Sequence, residues 1–420
     1  MHWVATAALV LVLLRWGASL WLERMNRRHV RQHANRMPAC WRGVLADDVY
    51  SKAISYALAR SRLAEVESAW DTAILLAALF SGVLPWVQAA LTGWLGTSAW
   101  AQAVFLGVVG LGLALPSWPL EWYAQFHLEE RFGFNTTTAR LWWVDRVKGL
   151  VLAMVLGWPI LLLMLKLVEW TGWWWWFWAW GAVLGFQALM IHLAPVFLLP
   201  LFNRFVPLPE GSLRERLLAL AQRTGFRARS IQVMDGSKRS RHSNAFFTGL
   251  GRGRKVVLFD TLLELLTEPQ VEAVLAHEIG HYQRRHLPKL LAWSAAVTLV
   301  GFFCLGWLAR REWFSAAFGF ETGGMAAAIL LFALLSGPVA FWLSPLANRW
   351  SRRYEYEADA FAAAAVRESE SLLEALRKLN EQNLSNPVAH PLYSAFHYSH
   401  PTLPEREQAL RRLAAAGQPT

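Results

Sequence analysis

His277 and His281 stand four residues apart in the stretch Ala276-His277-Glu278-Ile279-Gly280-His281. On an α-helix, positions four apart differ by about 40° around the axis, so both imidazoles point the same way, one turn apart. Two nitrogens on one face make half of a zinc site. Glu278 lies too far round the helix to be a ligand but can reach a water held there, which is the place of a general base in an H-E-x-x-H hydrolase. A catalytic zinc takes a third protein ligand and leaves one position open. Only Cys40 and Cys304 are present, far apart, so the remaining ligand is a histidine or a carboxylate. The best region is Arg353-Tyr354-Glu355-Tyr356-Glu357-Ala358-Asp359. Glue of this kind needs one face: Glu355 and Asp359 share one, so one of them can ligate while the other hydrogen-bonds a ligating imidazole. Glu357 falls on roughly the opposite side and reads as a solvated surface position.

These residues must sit on firm elements. Thr267-Glu268-Pro269-Gln270 has the pattern of a capping box with a proline in the first turn, followed by apolar Val271, Val274, Leu275 and Ile279. A partly buried helix is predicted from there, with Pro288 closing it. Residues 244–249 and 255–259 read as two short strands joined by a glycine-rich turn at Gly249, Gly251 and Gly253.

The rest of the chain is membrane-like. Of 420 residues, 55% are hydrophobic, the mean hydropathy is +0.26 and there are 25 tryptophans, which lies outside the soluble range. Spans are predicted at 3–22, 72–95, 101–122, 148–168, 173–201, 290–309 and 325–346, each about as long as a hydrocarbon core of roughly 30 Å requires. The net charge of +11 comes from 34 Arg and 7 Lys against 30 acidic residues. In a membrane protein that excess marks cytoplasmic loops, not nucleic-acid contact. The arginines of 24–42 therefore place the first loop inside and the N-terminus outside. Arg310 and Arg311, on the outer side, are the exception. The bias toward Arg and Trp over Lys is what a GC-rich bacterial genome gives. The expected organisation is five spans in 1–201 with cytoplasmic loops 24–70 and 123–147, a zinc segment at 202–288, two spans in 289–347, and a polar helical tail at 348–420 that shares the zinc segment's compartment.

Longer motifs agree with one family. The chain resembles the CAAX prenyl protease 1 family of integral-membrane zinc endopeptidases, whose zinc pattern is H-E-x-x-H with a distant E-x-x-A-D. Similar too are Glu129-Glu130-Arg131-Phe132-Gly133-Phe134-Asn135, the run from Met234 to Ala245, Val257-Leu258-Phe259-Asp260-Thr261, and His397-Tyr398-Ser399-His400-Pro401 with Glu405-Arg406. The resemblance covers nearly the whole chain. It implies an α-helical polytopic membrane protein with seven transmembrane helices in a ring around a water-filled chamber, closed by a cytoplasmic zincin-like α+β protease domain. Arg15, Gln88, Gln102, Gln187 and His192 are polar positions such a chamber would accept.

The same resemblance implies one Zn2+ per chain on His277, His281 and Glu355, with Glu278 as general base. Asp359 then resembles the acid behind a ligand, His400 the histidine that steadies the oxyanion or substrate, and Arg406 a supporting arginine. Asn244 and Ala245 are implied to hold substrate on a strand edge, by main-chain pairing that leaves side chains loosely specified. The implied activity is peptide hydrolysis by zinc-activated water. Prenylated CAAX-type C-termini are the eukaryotic substrates, in the endoplasmic reticulum or nuclear membrane. A bacterial member, in the inner membrane, is expected to cut misfolded or membrane proteins. Membrane lipid is the other expected partner. The rival from another class is a non-catalytic membrane chaperone or transporter stabilised by zinc, which an intact Glu278 argues against.

Overall fold

The computed structural model describes residues 2–226, 230–248, 254–321, 323–366 and 369–416. The glycine-rich turn expected at Gly249, Gly251 and Gly253 lies outside the described residues.

Helices dominate. α1 (Trp3–His33) packs along α2 (Asp47–Phe80), which bends by 54° at a short break and continues as α3 (Val83–Leu95). Gly82 takes φ +80° at the break, a conformation that glycine adopts at no steric cost. The helical run Ala99–Phe132 follows, and then Ala139–Phe202. At 1.5 Å per residue this last run would be about 96 Å long, some three times a hydrocarbon core. It is two spans, interrupted at Gly172 (φ +54°), with Trp158–Thr171 packed against Trp175–Leu193. With His286–Leu308 and Met325–Val366, six stretches among the described residues are long and apolar enough to cross a membrane, the bent pair counted as one, and dividing Ala139–Phe202 at Gly172 makes seven.

Several expected boundaries do not coincide with breaks in structure. The polar stretch 47–68 and the span after it share one helix, α2. Only 133–138 separates helical residues within the loop drawn at 123–147. The Met325–Val366 helix runs straight through 347/348. A change from apolar to polar composition marks a change of solvent, whereas main-chain hydrogen bonding continues across it. The two arginines expected on the outer side each meet a tryptophan. The Arg310 guanidinium lies 3.9 Å from the centre of the Trp173 ring and Arg311 4.9 Å from that of Trp307, so both are held on interfacial tryptophans.

A four-stranded sheet in the order β1-β2-β4-β3 is built from β1 (Phe205–Pro207), β2 (Ser230–Met234), β3 (Ala245–Thr248) and β4 (Lys255–Phe259). β2 and β4 are parallel, and the two outer pairs are antiparallel. Its core joins Leu217, Leu220 and Leu258 to Leu275 and Ile279 of the motif helix and to Leu372 from the tail. β3 is an edge strand, and it packs beside that helix.

The motif helix spans Glu268–Gln283, and the reciprocal capping box of Thr267 and Gln270 is present. Pro288 does not close it. The helix stops at Gln283, and Pro288 sits in the first turn of His286–Leu308, where a missing N–H costs nothing. Gly280 is needed for contact. A Cβ there would stand 3.0 Å from both Cα and O of Ala358, so glycine lets the long helix Met325–Val366 lie directly against the motif helix.

Candidate active site

The close crossing at Gly280 sets the geometry, because Glu355 and Asp359 flank Ala358 by three residues and one. Nε2 of His277 and Nε2 of His281 are 3.2 Å apart. Glu355 faces both, its two oxygens 3.5 Å from His277 and 3.4 Å from His281. Donor atoms of these three residues lie within 4.8 Å of one another, and among the described residues no other such group occurs.

The residues fit a divalent cation. Nδ1 of His277 lies 2.8 Å from Oδ1 of Asp359, and a carboxylate can only accept, so the proton is on Nδ1 and the Nε2 lone pair faces Glu355. The buried Glu355 Oε2 has no hydrogen-bond partner. An orphaned carboxylate oxygen opposite two imidazole nitrogens is a costly arrangement without a positive charge among them. Nitrogen and oxygen donors with no thiolate suit zinc. The electrostatics agree. Burial works to raise the Glu355 carboxyl, but the imidazoles of His277 and His281 beside it outweigh that and hold the group well below the usual range. Burial works to lower His277, but Asp359 and Glu355 outweigh it and raise it to about 9.

Behind His277 stands a complete ion pair. Nε of Arg406 donates to Oδ2 of Asp359 at 2.8 Å, and Asp359 is 1% exposed. Its carboxyl is lowered, burial notwithstanding, by Arg406 and then His277. Glu278 points into a cleft of about 450 Å³ that is also lined by Asn244, Ala245, His277, Glu355, His400 and Arg406. Burial pushes the Glu278 carboxyl up, against the pull of His277 and His281. Nε2 of His400 is 3.4 Å from Oε1 of Glu355, with the ring itself mostly exposed at the mouth of the cleft. The nine residues implied for the site therefore lie in one place.

Comparison with known proteins agrees along the whole length. Residues 26–204 match the family model for the CAAX prenyl protease N-terminal region with five membrane helices, and residues 207–414 match peptidase family M48. CAAX prenyl protease 1 of Saccharomyces cerevisiae is 35% identical over 91% of this chain and 90% of its own. The chain belongs to the CAAX prenyl protease 1 family. The human CAAX prenyl protease 1 homolog is 30% identical over 96% of this chain and 94% of its own. The crystal structure of Saccharomyces mikatae Ste24p superposes with a TM-score of 0.89 at 32% identity, covering 97% of this chain and 98% of that one. As a member of the CAAX prenyl protease 1 family the chain is a multi-pass membrane zinc metalloendopeptidase, and the non-catalytic chaperone or transporter is set aside.

Sequence reasoning missed two kinds of residue. Asn383 carries no motif, yet its Oδ1 accepts from the Ser243 N–H at 3.2 Å and lies 3.1 Å from Nδ1 of His242, tying the tail to the residues just before β3. Glu357, read as a solvated surface position, instead lies 3.1 Å from Nε2 of His286 and accepts from Arg353. No spacing rule reveals the first. The second depended on where the chain turns after the motif helix.

Proposed function

We propose that His277, His281 and Glu355 hold the single zinc ion and that Glu278 is the general base of peptide hydrolysis. The observation that carries this reading is the orphaned Glu355 Oε2 set against two Nε2 atoms, with the Glu278 carboxyl in the same cleft. Zinc, when bound, acidifies a water and polarises a carbonyl. Glu278 takes the proton from the attacking water and returns it to the leaving amine, and burial that raises its carboxyl suits it to both tasks. Asp359, clamped by Arg406, keeps His277 in one tautomer. His400, at the rim beside Glu355, donates to the developing oxyanion or to the substrate.

The substrate runs as an extended strand along β3. The Asn244 carbonyl accepts from Phe259 N–H and so points into the sheet, and by alternation Ala245 and Phe247 turn their main-chain groups to the open edge. Such pairing reads backbone rather than side chains. It fits prenylated CAAX-type C-termini and, for a bacterial member, misfolded or membrane proteins drawn from the bilayer.

Segments 202–288 and 348–420 together form the catalytic part on the cytoplasmic side, with the spans of 1–201 and 289–347 around a chamber and the N-terminus outside. Only 6% to 33% of their most apolar windows is buried, which leaves surface for lipid outside the ring and for water inside it. Arg15 agrees, since its buried Nε has no hydrogen-bond partner.

The experiment is cleavage of a prenylated peptide beside its unprenylated twin by detergent-purified protein, with zinc measured in the same samples. Hydrolysis confined to the prenylated peptide supports CAAX processing, and equal cleavage of both supports the wider substrate class. Hydrolysis that persists in zinc-loaded Glu278→Gln overturns the assigned base.

A further inference from the structure

His281 uses only one ring nitrogen toward Glu355. The other, Nδ1, lies 3.0 Å from Nδ1 of His286. His286 in turn presents Nε2 to Oε2 of Glu357 at 3.1 Å, and the second oxygen of Glu357 accepts from Nε of Arg353 at 2.9 Å. The His286 ring is 1% exposed and stacks on Tyr354 with centroids 4.3 Å apart.

Three contacts in series allow one order of protons when the imidazoles are neutral. Glu357 can only accept, so His286 carries its proton on Nε2 and has a lone pair on Nδ1. Two facing nitrogens share one proton, so His281 supplies it from Nδ1. The lone pair of His281 is then on Nε2, the atom that faces His277 and Glu355.

The backbone is bent to make this possible. Five residues along an unbroken helix turn the side chain by about 140°, which would carry His286 away from His281. Arg285 instead adopts φ +56° and ψ +38°, a left-handed conformation that a non-glycine residue avoids unless its surroundings impose it. The motif helix ends there, and His286 folds back against His281.

We propose that His286, backed by Glu357 and Arg353, is a positioning residue for His281: it fixes the tautomer and the ring so that Nε2 is presented to the metal. This rests on the zinc assignment above. His286 and Glu357 are absent from the residues that line the cleft, so their effect passes through His281.

The test uses the full chain in detergent, with zinc release to a chelator and the absorption bands of the cobalt-substituted protein as readouts besides hydrolysis. His286→Phe and Glu357→Leu are expected to release zinc about 10- to 100-fold faster and to shift the cobalt bands. Glu357→Gln, whose amide oxygen still accepts from His286, is expected to stay within about threefold of the parent protein. With zinc in excess, kcat should return in every variant and KM should not move. Release from His286→Phe and Glu357→Leu at the parent rate overturns the proposal, and so does a Glu357→Gln variant as fast as Glu357→Leu, which would assign the effect to charge alone. Should His286→Phe fail to fold, the two variants at Glu357, whose side chain is 28% exposed, carry the test. Glu355→Ala run alongside separates the two readings: retained zinc there overturns the ligand assignment itself, whereas lost zinc with parental rates in the other variants overturns only the positioning role.

Discussion

The motif helix buries ten of its sixteen residues, whereas the long helical run Ala139–Phe202 buries 6% of its most apolar window. Both are rich in apolar side chains, and they use them in opposite ways. Outside the membrane an apolar side chain must find a protein partner, so Leu275 and Ile279 imply neighbours and the core around them is dense. In lipid the solvent itself is apolar, so Leu189 or Val196 implies none. The polar residues reverse the contrast: the exposed ones of the catalytic part say little, while a half-buried Arg15 among the spans, its Nε without a hydrogen-bond partner and its guanidinium over Phe341, calls for water or protein around it.

Substitutions can break that contrast or sharpen it. Glu355→Ala has the largest expected effect, loss of bound zinc and with it all hydrolysis, read by metal analysis on protein that still elutes as a folded species. Glu278→Gln comes next: zinc stays, and kcat falls about 10²- to 10⁴-fold, the usual contribution of a general base. Gly280→Val forces its new side chain against the Ala358 backbone and should cost about 1–3 kcal/mol of stability together with weakened zinc binding, seen as a lower Tm and faster loss to a chelator. The smallest contrast compares like with like. Leu220→Ala, in the dense core, should lower stability by about 2–5 kcal/mol. Leu189→Ala, half exposed within a span, should change it by no more than about 0.5 kcal/mol. Equal Tm shifts for the two leucines would show that the spans pack as a core does.

How much was legible follows from the same contrast. The two histidines, the capping box and the shared face of Glu355 and Asp359 depend on helical periodicity alone, and the structure keeps all three. The length of the Met325–Val366 helix was hidden because residue 347 looks like an end when only its solvent changes. Pro288 looked like a stop because a proline forbids the helix interior and equally suits the first turn of the next one. Glu357 was placed correctly on the far side of its helix, and its partner was lost because a left-handed Arg285 is invisible in composition. Asn383 was out of reach for a plainer reason, since its contacts span 140 residues or more.

The tail has one more consequence, which concerns biogenesis. His277 and His281 emerge from the ribosome well before Glu355, and Glu355 before His400 and Arg406, with the last two membrane crossings to be inserted in between. The N-terminal helices then receive the tail: Trp41 Nε1 donates to the Pro387 carbonyl at 2.9 Å, and the Tyr393 hydroxyl donates to Glu23 at 2.8 Å. A chain halted between 282 and 354 has its first helices, its sheet segments and both histidines but not Glu355, His400 or Arg406. The order of synthesis thus sets the order of assembly, and the candidate site is complete only once residues 355 to 406 have been made and packed against the N-terminal segment.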